Sequence, residues 1–138
     1  MNAAVRTVSG TWLVDLETEE LLEADVDVGA GEAIPVSLPL VVAVAAAGST
    51  IVAVVDRRPP LAVSHDAGRT WREAGGGLPK GTAIAIDPEN PDRMLYAARN
   101  RLFLSEDGGR FWRALAPELP KIEAVAFMKG TDPADLSL

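Results

Sequence analysis

The fold is decided by a stretch that occurs twice, as Ser64-His65-Asp66-Ala67-Gly68-Arg69-Thr70-Trp71-Arg72 and as Ser105-Glu106-Asp107-Gly108-Gly109-Arg110-Phe111-Trp112-Arg113. The two copies are 41 residues apart, and the match runs on without a gap to Leu78-Pro79 and Leu119-Pro120. Eight of these sixteen aligned positions are identical. A third Leu-Pro pair, Leu38-Pro39, lies 40 residues before Leu78-Pro79. The chain is therefore a tandem repeat with a period of about 40 residues.

Each repeat is predicted to contain four short β-strands. In the second copy, short apolar runs predict strands at residues 82–86, 93–99, 102–104 and 111–115. Proline and Asx residues fill the connection at 87–92, and Pro117 and Pro120 are expected to end the fourth strand. A repeat of about 40 residues with four strands is typical of a β-propeller blade.

An uncharged stretch at residues 33–55 raises the question of a membrane span. Two prolines and the Gly48-Ser49-Thr50 break interrupt it, and its apolar runs are short and β-branched. We therefore predict two buried strands, at 41–44 and 51–55, joined by a turn, and no membrane span.

The pattern Ser64-x-Asp66-x-Gly68-x-Thr70-Trp71 resembles the Asp-box, or BNR repeat, whose consensus is S/T-x-D-x-G-x-T-W. The second copy keeps Ser105, Asp107, Gly109 and Trp112, but Phe111 stands where the family prefers threonine. The Asp87-Pro88-x-Asn90-Pro91 connection also looks like this family's link between the first two strands of a blade. Asp-box repeats occur in β-propellers such as sialidases, sortilin-type receptor domains and a photosystem assembly factor. The resemblance covers residues 38–133 and implies an all-β fold of about three four-stranded antiparallel blades, but it names no function, because these propellers host unrelated activities.

The physical chemistry of the motif predicts a structural role at the hairpin between the third and fourth strands of a blade. Each aspartate is expected to accept hydrogen bonds from turn N–H groups that the sheet leaves unpaired, and each motif glycine to adopt a positive φ. The motif tryptophans are expected to bury their rings between blades. A calcium or sugar site on Asp66 and Asp107 is the alternative, but one carboxylate per turn supplies few metal ligands. We expect no metal and no cofactor.

The N-terminal part is less regular and strongly acidic. Residues 1–32 carry eight acids and one arginine, so they hold the whole net charge of −7. A strand at 12–16, a turn at 17–20 and an alternating strand from Leu22 to Val28 form a predicted hairpin, with a helix over 15–24 as the competing interpretation. Its acids form either a solvated strand face or a docking surface for a basic partner. The spacing Asp25-x-Asp27-x-Gly29 hints at a calcium loop, but the other ligand positions of an EF-hand are absent.

Composition limits the classes of function. With 138 residues and no cysteine, the chain is predicted to form a single domain without disulfides, thiolate catalysis or Cys-based zinc sites. The acidic balance argues against nucleic acid as a partner. The first ten residues lack the apolar core of a secretory signal, so a cytoplasmic location is the default expectation, although members of the resembled family are often exported.

The inventory of catalytic residues is thin. His65 has no counterpart in the second copy, so we expect an exposed turn residue rather than a base. The single tyrosine, Tyr96, lies in a run of small apolar residues and is expected to pack in the core, which leaves no tyrosine–glutamate pair of the kind that a sialidase uses. We expect a protein that is not an enzyme. The arginines that repeat with the blade are candidate binding or interface residues: Arg69, Arg72, Arg110 and Arg113.

The predicted organisation is a degenerate acidic segment at 1–37, a blade with the first Asp-box at 38–79, a blade with the second at 80–120, and the start of a further blade at 121–138. This last blade lacks outer strands, which the acidic hairpin at 11–28 could supply from the same chain or from a partner. Closed propellers use four to eight blades, so we predict a two-fold homodimer that completes a six-bladed ring, with acidic strands against arginine-bearing edges. The expected function is a non-catalytic module for binding or assembly with a protein or glycan. The alternatives are a sialidase-like glycoside hydrolase remnant or accessory module, and a purely structural assembly subunit.

Overall fold

The computed structural model describes residues 1–26, 28, 36 and 38–128, and this part of the chain folds as an all-β, propeller-like structure. Three antiparallel sheets hold four strands each. We call them the first blade (β4 to β7), the second blade (β8 to β11) and the closing blade (β12, β1, β2 and β3). In chain order the strands are β1 Asn2–Thr7, β2 Gly10–Asp15, β3 Leu21–Glu23, β4 Val41–Ala47, β5 Thr50–Val55, β6 Leu61–Ser64, β7 Arg72–Ala74, β8 Ala83–Asp87, β9 Asn90–Ala98, β10 Arg101–Ser105, β11 Arg113–Glu118 and β12 Ile122–Phe127.

The closing blade joins distant parts of the chain. β1 pairs with β12 on one side, with Ala4 opposite Ala126, and with β2 on the other. The outer strands of this blade were predicted to come from the same chain or from a partner, and the structure shows that the same chain supplies them. β2 and β3 pair as a hairpin, with Val14 opposite Leu21, so the competing helix over 15–24 is wrong.

The second blade lies between the other two, because its inner strand β8 packs against both β4 and β12. One apolar cluster fills the junction between the first and second blades, including Val54, Val63 and Tyr96. Another fills the junction between the second and closing blades, including Val5 and Leu115. Alternate residues of each strand point to one face of its sheet, so each cluster draws on one face of two sheets.

The predicted fourth strand of the second blade was misplaced. It runs from Arg113 to Glu118 and contains Pro117, which we expected to act as a breaker. β11 is the outer strand and pairs with β10 alone, and its register shifts opposite residues 101–103. A proline is tolerated there because it lacks a backbone N–H, and an edge strand with an irregular register does not need that donor at every position. The link between β8 and β9 is also tighter than predicted, since β9 begins at Asn90.

The predicted strand from Leu22 to Val28 is shorter in the structure, where β3 ends at Glu23. Beyond this strand, Val28 is buried with Ala4 and Ala124 of the closing blade. The Arg6 guanidinium donates a hydrogen bond to the Val28 carbonyl oxygen at 2.9 Å. Asp27, Gly29 and the Asp132-Pro133 pair, which entered our calcium-loop and further-blade hypotheses, lie outside the described residues.

The uncharged stretch forms strands β4 and β5, as predicted, paired through a turn at Gly48 and Ser49. Among the described residues, no helix is long and apolar enough to cross a membrane. β4 is less buried than we expected, since the side chain of Val42 is 51% exposed. At the centre of the face that points away from the second blade, Ala53 and Ala62 are nonetheless buried.

Candidate functional site at the repeated turns

The first turn, residues 64–71, joins β6 to β7 through a network centred on Asp66. One oxygen of this carboxylate accepts hydrogen bonds from the Ser64 hydroxyl (2.7 Å) and the Thr70 amide (2.8 Å), and the other accepts one from the Thr70 hydroxyl (2.6 Å). These donors lower the pKa of Asp66 from 3.8 to about 2, the Thr70 hydroxyl having the largest effect. The buried Ser64 hydroxyl oxygen accepts the Gly68 amide at 2.8 Å. The motif therefore closes its own turn.

The second turn, residues 105–112, repeats this network between β10 and β11 with one donor missing. Asp107 accepts hydrogen bonds from the Ser105 hydroxyl (2.9 Å) and from the Phe111 amide (3.0 Å), which lowers its pKa, mainly through the Phe111 amide. The Ser105 hydroxyl oxygen accepts the Gly109 amide at 2.9 Å. The phenyl ring of Phe111 has no hydroxyl to donate, unlike Thr70 in the first turn. Phe111 thus occupies this position without supporting the network through its side chain.

The closing blade has a related turn that sequence reasoning missed. Asp15, at the end of β2, accepts hydrogen bonds from the amides of Glu17 (2.8 Å) and Thr18 (3.0 Å). These two donors lower its pKa, with Thr18 the stronger. The signal in the sequence is weak, because Asp15 is followed by neither a glycine nor a tryptophan. It occupies the corresponding β2–β3 hairpin, so all three blades place an aspartate at this turn.

Two of the four predicted arginines link neighbouring blades. The Arg72 guanidinium donates to the Gly108 carbonyl oxygen of the second turn at 2.8 Å. Its repeat counterpart Arg113 lies 3.6 Å from the Glu19 carboxylate, which belongs to the turn of the closing blade. Glu19 also accepts the amide of Ala116 on the outer strand β11 at 2.6 Å. The repeat thus uses equivalent arginines to join one blade to the next, whereas Arg69 and Arg110 are exposed on their turns.

The two motif tryptophans differ in their surroundings. Trp112 packs against the apolar cluster between the first and second blades, and its ring centroid lies 5.9 Å from that of Tyr96. A Cβ built at Gly109 would lie 3.5 Å from Val63 of the preceding blade. At the equivalent Gly68, the near atoms belong to Trp71 and Ile51, both in the first blade. The described neighbours of the Trp71 turn thus belong to the first blade, whereas those of Trp112 include a second blade.

A cleft of about 280 Å³ opens at the second turn. Phe111 is one of its lining residues, and 79% of its surface is exposed. The Glu106 carboxylate lies 3.5 Å from the Arg93 guanidinium, so one wall of the cleft carries an ion pair. The cleft therefore combines an exposed aromatic ring with charged groups of both signs. Its lining residues are Leu104, Glu106, Asp107, Phe111, Trp112 and Arg113.

Tyr96 and His65 occupy the places predicted for them. Tyr96 is fully buried, and its hydroxyl donates to the Pro79 carbonyl oxygen at 2.6 Å. Burial raises its pKa to about 12. His65 is exposed on the first turn, with its Nδ1 atom 3.5 Å from the Thr50 hydroxyl. In the part of the chain that the structure describes, no three potential metal ligands come together.

No family model and no curated protein matches the chain. Among solved structures it is similar to the GH74 enzyme of Niastella koreensis, with 27% identity and a TM-score of 0.44 over 51% of this chain and 11% of that one. It is also similar to YCF48 bound to a D1 peptide (16% identity, TM-score 0.49, 81% of this chain and 38% of that one). It is similar as well to YCF48 from Cyanidioschyzon merolae, with 16% identity and a TM-score of 0.47 over 86% of this chain and 38% of that one. The chain thus spans much less than two thirds of each of these proteins.

Proposed function

We propose that this chain is a non-catalytic binding module of the Asp-box type, which holds a protein or glycan ligand in the cleft at the second turn. The observation that carries the proposal is the position of Phe111. A large aromatic side chain is 79% exposed on a turn that internal hydrogen bonds hold in place. Aromatic residues held rigidly at a surface are the usual anchors of binding sites.

Comparison of the two turns supports a role outside the fold for Phe111. At the matching position of the first turn, the Thr70 hydroxyl donates to Asp66 at 2.6 Å and strengthens the turn. Phenylalanine gives up that hydrogen bond and exposes apolar surface to water, and both changes are unfavourable for the free chain. A ligand that covers the ring would offset this cost.

The chemistry of the cleft suits a ligand with a flat apolar face beside polar groups. The Phe111 ring offers a surface for the apolar face of a sugar or for an apolar side chain of a peptide. Arg113 and Glu106 line the same cleft, and each keeps hydrogen-bonding capacity beyond its ion pair with Glu19 or Arg93. This combination favours recognition by shape and hydrogen bonding.

The residues that could perform catalysis support the non-catalytic part of the proposal. Tyr96, the sole tyrosine, is fully buried, and its pKa of about 12 keeps it protonated. It therefore offers no nucleophile for sialidase chemistry. A fluorogenic sialoside assay is expected to show no turnover above a buffer blank, and measurable turnover would overturn the non-catalytic assignment.

Substitution of Phe111 tests the binding site. The full chain is screened against a glycan array and a library of short displayed peptides, and the strongest hit is titrated. Phe111→Thr copies the first turn, so it should keep the fold and weaken that binding at least tenfold. Leu22→Thr is the matched control, because Leu22 is 65% exposed in a different blade and should bind as the wild type does. Unchanged binding by Phe111→Thr, or no hit on either array, would contradict the proposal.

A further inference from the structure

The second turn leaves one oxygen of its aspartate without a donor, and comparison with the first turn shows which group is missing. In the first turn Asp66 uses both carboxylate oxygens, and its Oδ2 atom accepts the Thr70 hydroxyl at 2.6 Å. In the second turn, every donor among the described residues reaches Oδ1 of Asp107, including the Phe111 amide at 3.0 Å. Its Oδ2 atom accepts no hydrogen bond from them. Phe111 therefore leaves an acceptor without the hydroxyl that the first turn supplies.

The carboxylate with the free oxygen lies beside the exposed aromatic ring. Asp107 and Phe111 both line the cleft of about 280 Å³ at the second turn, and both are exposed. The hydrogen bond from the Phe111 amide to Asp107 holds the two residues in a fixed relationship. A ligand that covers the ring therefore also approaches the carboxylate.

The cost of covering this carboxylate limits the chemistry of the ligand. The Phe111 amide holds the pKa of Asp107 below its usual value, so the carboxylate is ionised at neutral pH. An apolar peptide side chain on the ring would shield the ionised oxygen from water and offer no donor in return, which is unfavourable. A sugar has an apolar C–H face with hydroxyl groups around it. It can therefore cover the ring and donate a hydrogen bond to the carboxylate at the same time.

The charges of the cleft favour a neutral sugar over an acidic one. The Glu106 carboxylate is paired with Arg93, and the Arg113 guanidinium lies 3.6 Å from Glu19. Asp107 forms no ion pair with any residue that the structure describes. The cleft thus keeps one uncompensated negative charge, which repels the carboxylate of a sialic acid.

We propose, on the basis of the binding function given above, that the cleft takes a neutral sugar. The apolar face of the sugar covers the Phe111 ring, and one of its hydroxyls donates to Asp107 Oδ2 as the Thr70 hydroxyl does to Asp66 in the first turn. Asp107 then has two separate roles, because Oδ1 holds the turn while Oδ2 selects the ligand. A site that accepts a hydroxyl discriminates against ligands without one more strongly than a purely apolar surface does.

Asp107→Asn separates the two roles. The donors on Oδ1 retain the carbonyl oxygen of the amide, so the amide nitrogen replaces Oδ2 and offers a donor instead of an acceptor. The full chain is screened on an array that pairs neutral oligosaccharides with their sialylated counterparts, and against displayed peptides. The strongest neutral oligosaccharide is then titrated by calorimetry, and Asp107→Asn should bind it at least about tenfold more weakly. Asp66→Asn is the matched control, since it removes the same charge from the equivalent turn and should bind as the wild type does.

Carbon-detected NMR of the Asp107 carboxyl gives a second measurement on the wild type. A hydroxyl donated to Oδ2 favours the charged form, so saturation with the same oligosaccharide should move the titration of this carboxyl to lower pH. An unchanged titration, or wild-type affinity in folded Asp107→Asn, would overturn the sugar site.

The array also distinguishes failure of the sugar site from failure of the binding function. A peptide or a sialylated glycan as the strongest hit, weakened by Phe111→Thr, would overturn the neutral sugar and leave the binding function intact. A hit that Phe111→Thr does not weaken, or no hit at all, would overturn the binding function and the sugar site with it.

Discussion

The guanidinium of Arg72 in the first blade donates a hydrogen bond to the carbonyl oxygen of Gly108 in the second, at 2.8 Å. Gly108 is buried, so its carbonyl has little access to water when this donor is removed. The contact joins the fourth strand of one blade to the turn of the next. The junction between blades therefore rests on a polar contact at its rim as well as on the apolar cluster inside it.

Removing this donor should destabilise the fold. Arg72→Met keeps the apolar stem and deletes the charged donor, and we expect a loss of about 1.5–3 kcal/mol in the free energy of unfolding. Urea denaturation measures it. Arg69→Met is the matched control, since Arg69 is exposed on its turn and should change stability by less than about 0.5 kcal/mol. Equal effects of the two substitutions would show that the Arg72 contact contributes nothing.

The buried serine of the second turn should matter more than its size indicates. Ser105 is 1% exposed, and its hydroxyl oxygen accepts the buried Gly109 amide at 2.9 Å. Ser105→Ala leaves that amide without a partner, which costs about 1–3 kcal/mol. Thermal and urea unfolding should show this loss, whereas Ser49→Ala, in an exposed turn, should behave as the wild type. A neutral Ser105→Ala would mean that another acceptor replaces the hydroxyl.

Acid should weaken the first turn between pH 3.8 and about 2. The folded pKa of Asp66 is lowered from 3.8 to about 2, so its contribution to stability is present above the unfolded value and is lost as the pH falls through the folded value. Thr70→Val removes the strongest donor and should move the carboxyl titration of Asp66 to higher pH. Carbon-detected NMR of the carboxyl group reports this pKa directly. An unchanged titration in Thr70→Val would show that the Thr70 hydroxyl does not cause the low pKa of Asp66.

Gly81 should tolerate no side chain. A Cβ built there would overlap the ring of Tyr96, whose hydroxyl is fixed on the Pro79 carbonyl oxygen. Gly81→Ala must displace a fully buried ring and should cost about 1–3 kcal/mol or more. Gly76→Ala is the control, because nothing lies within 4 Å of a Cβ at that position. Comparison of their midpoints in urea would detect the difference, and equal midpoints would show that the Tyr96 ring moves aside freely.

The repeat allowed much of the fold to be predicted. Each copy of the Ser-x-Asp-x-Gly pattern predicts a hairpin, because it places side-chain acceptors next to a glycine that can adopt a positive φ. The structure places both patterns at hairpins between third and fourth strands. Strand ends were harder to predict. From the sequence alone, Pro117 is expected to end a strand. Its strand β11 lies at a sheet edge, where a proline is tolerated, and the sequence does not show that position.

The contacts between blades could not be read from the sequence, because they depend on which sheet lies beside which. Arg72 and Arg113 were noticed since they repeat, but their partners, Gly108 and Glu19, belong to other blades. The role of Glu19 carried no sequence signal at all. The exposure of Phe111 was likewise hidden, because an aromatic residue next to a motif tryptophan is equally compatible with burial.

Pairing of β1 with β12 has a consequence for synthesis on the ribosome. The strands at residues 2–23 are made about a hundred residues before the inner strand of their sheet, at 122–127. In the meantime these strands lie beside a growing chain with one edge unpaired, which is a condition that favours aggregation. The eight acids of residues 1–32 repel like segments on neighbouring nascent chains during this delay. These acids thus reduce the tendency of the unpaired strands to associate with one another before β12 is made.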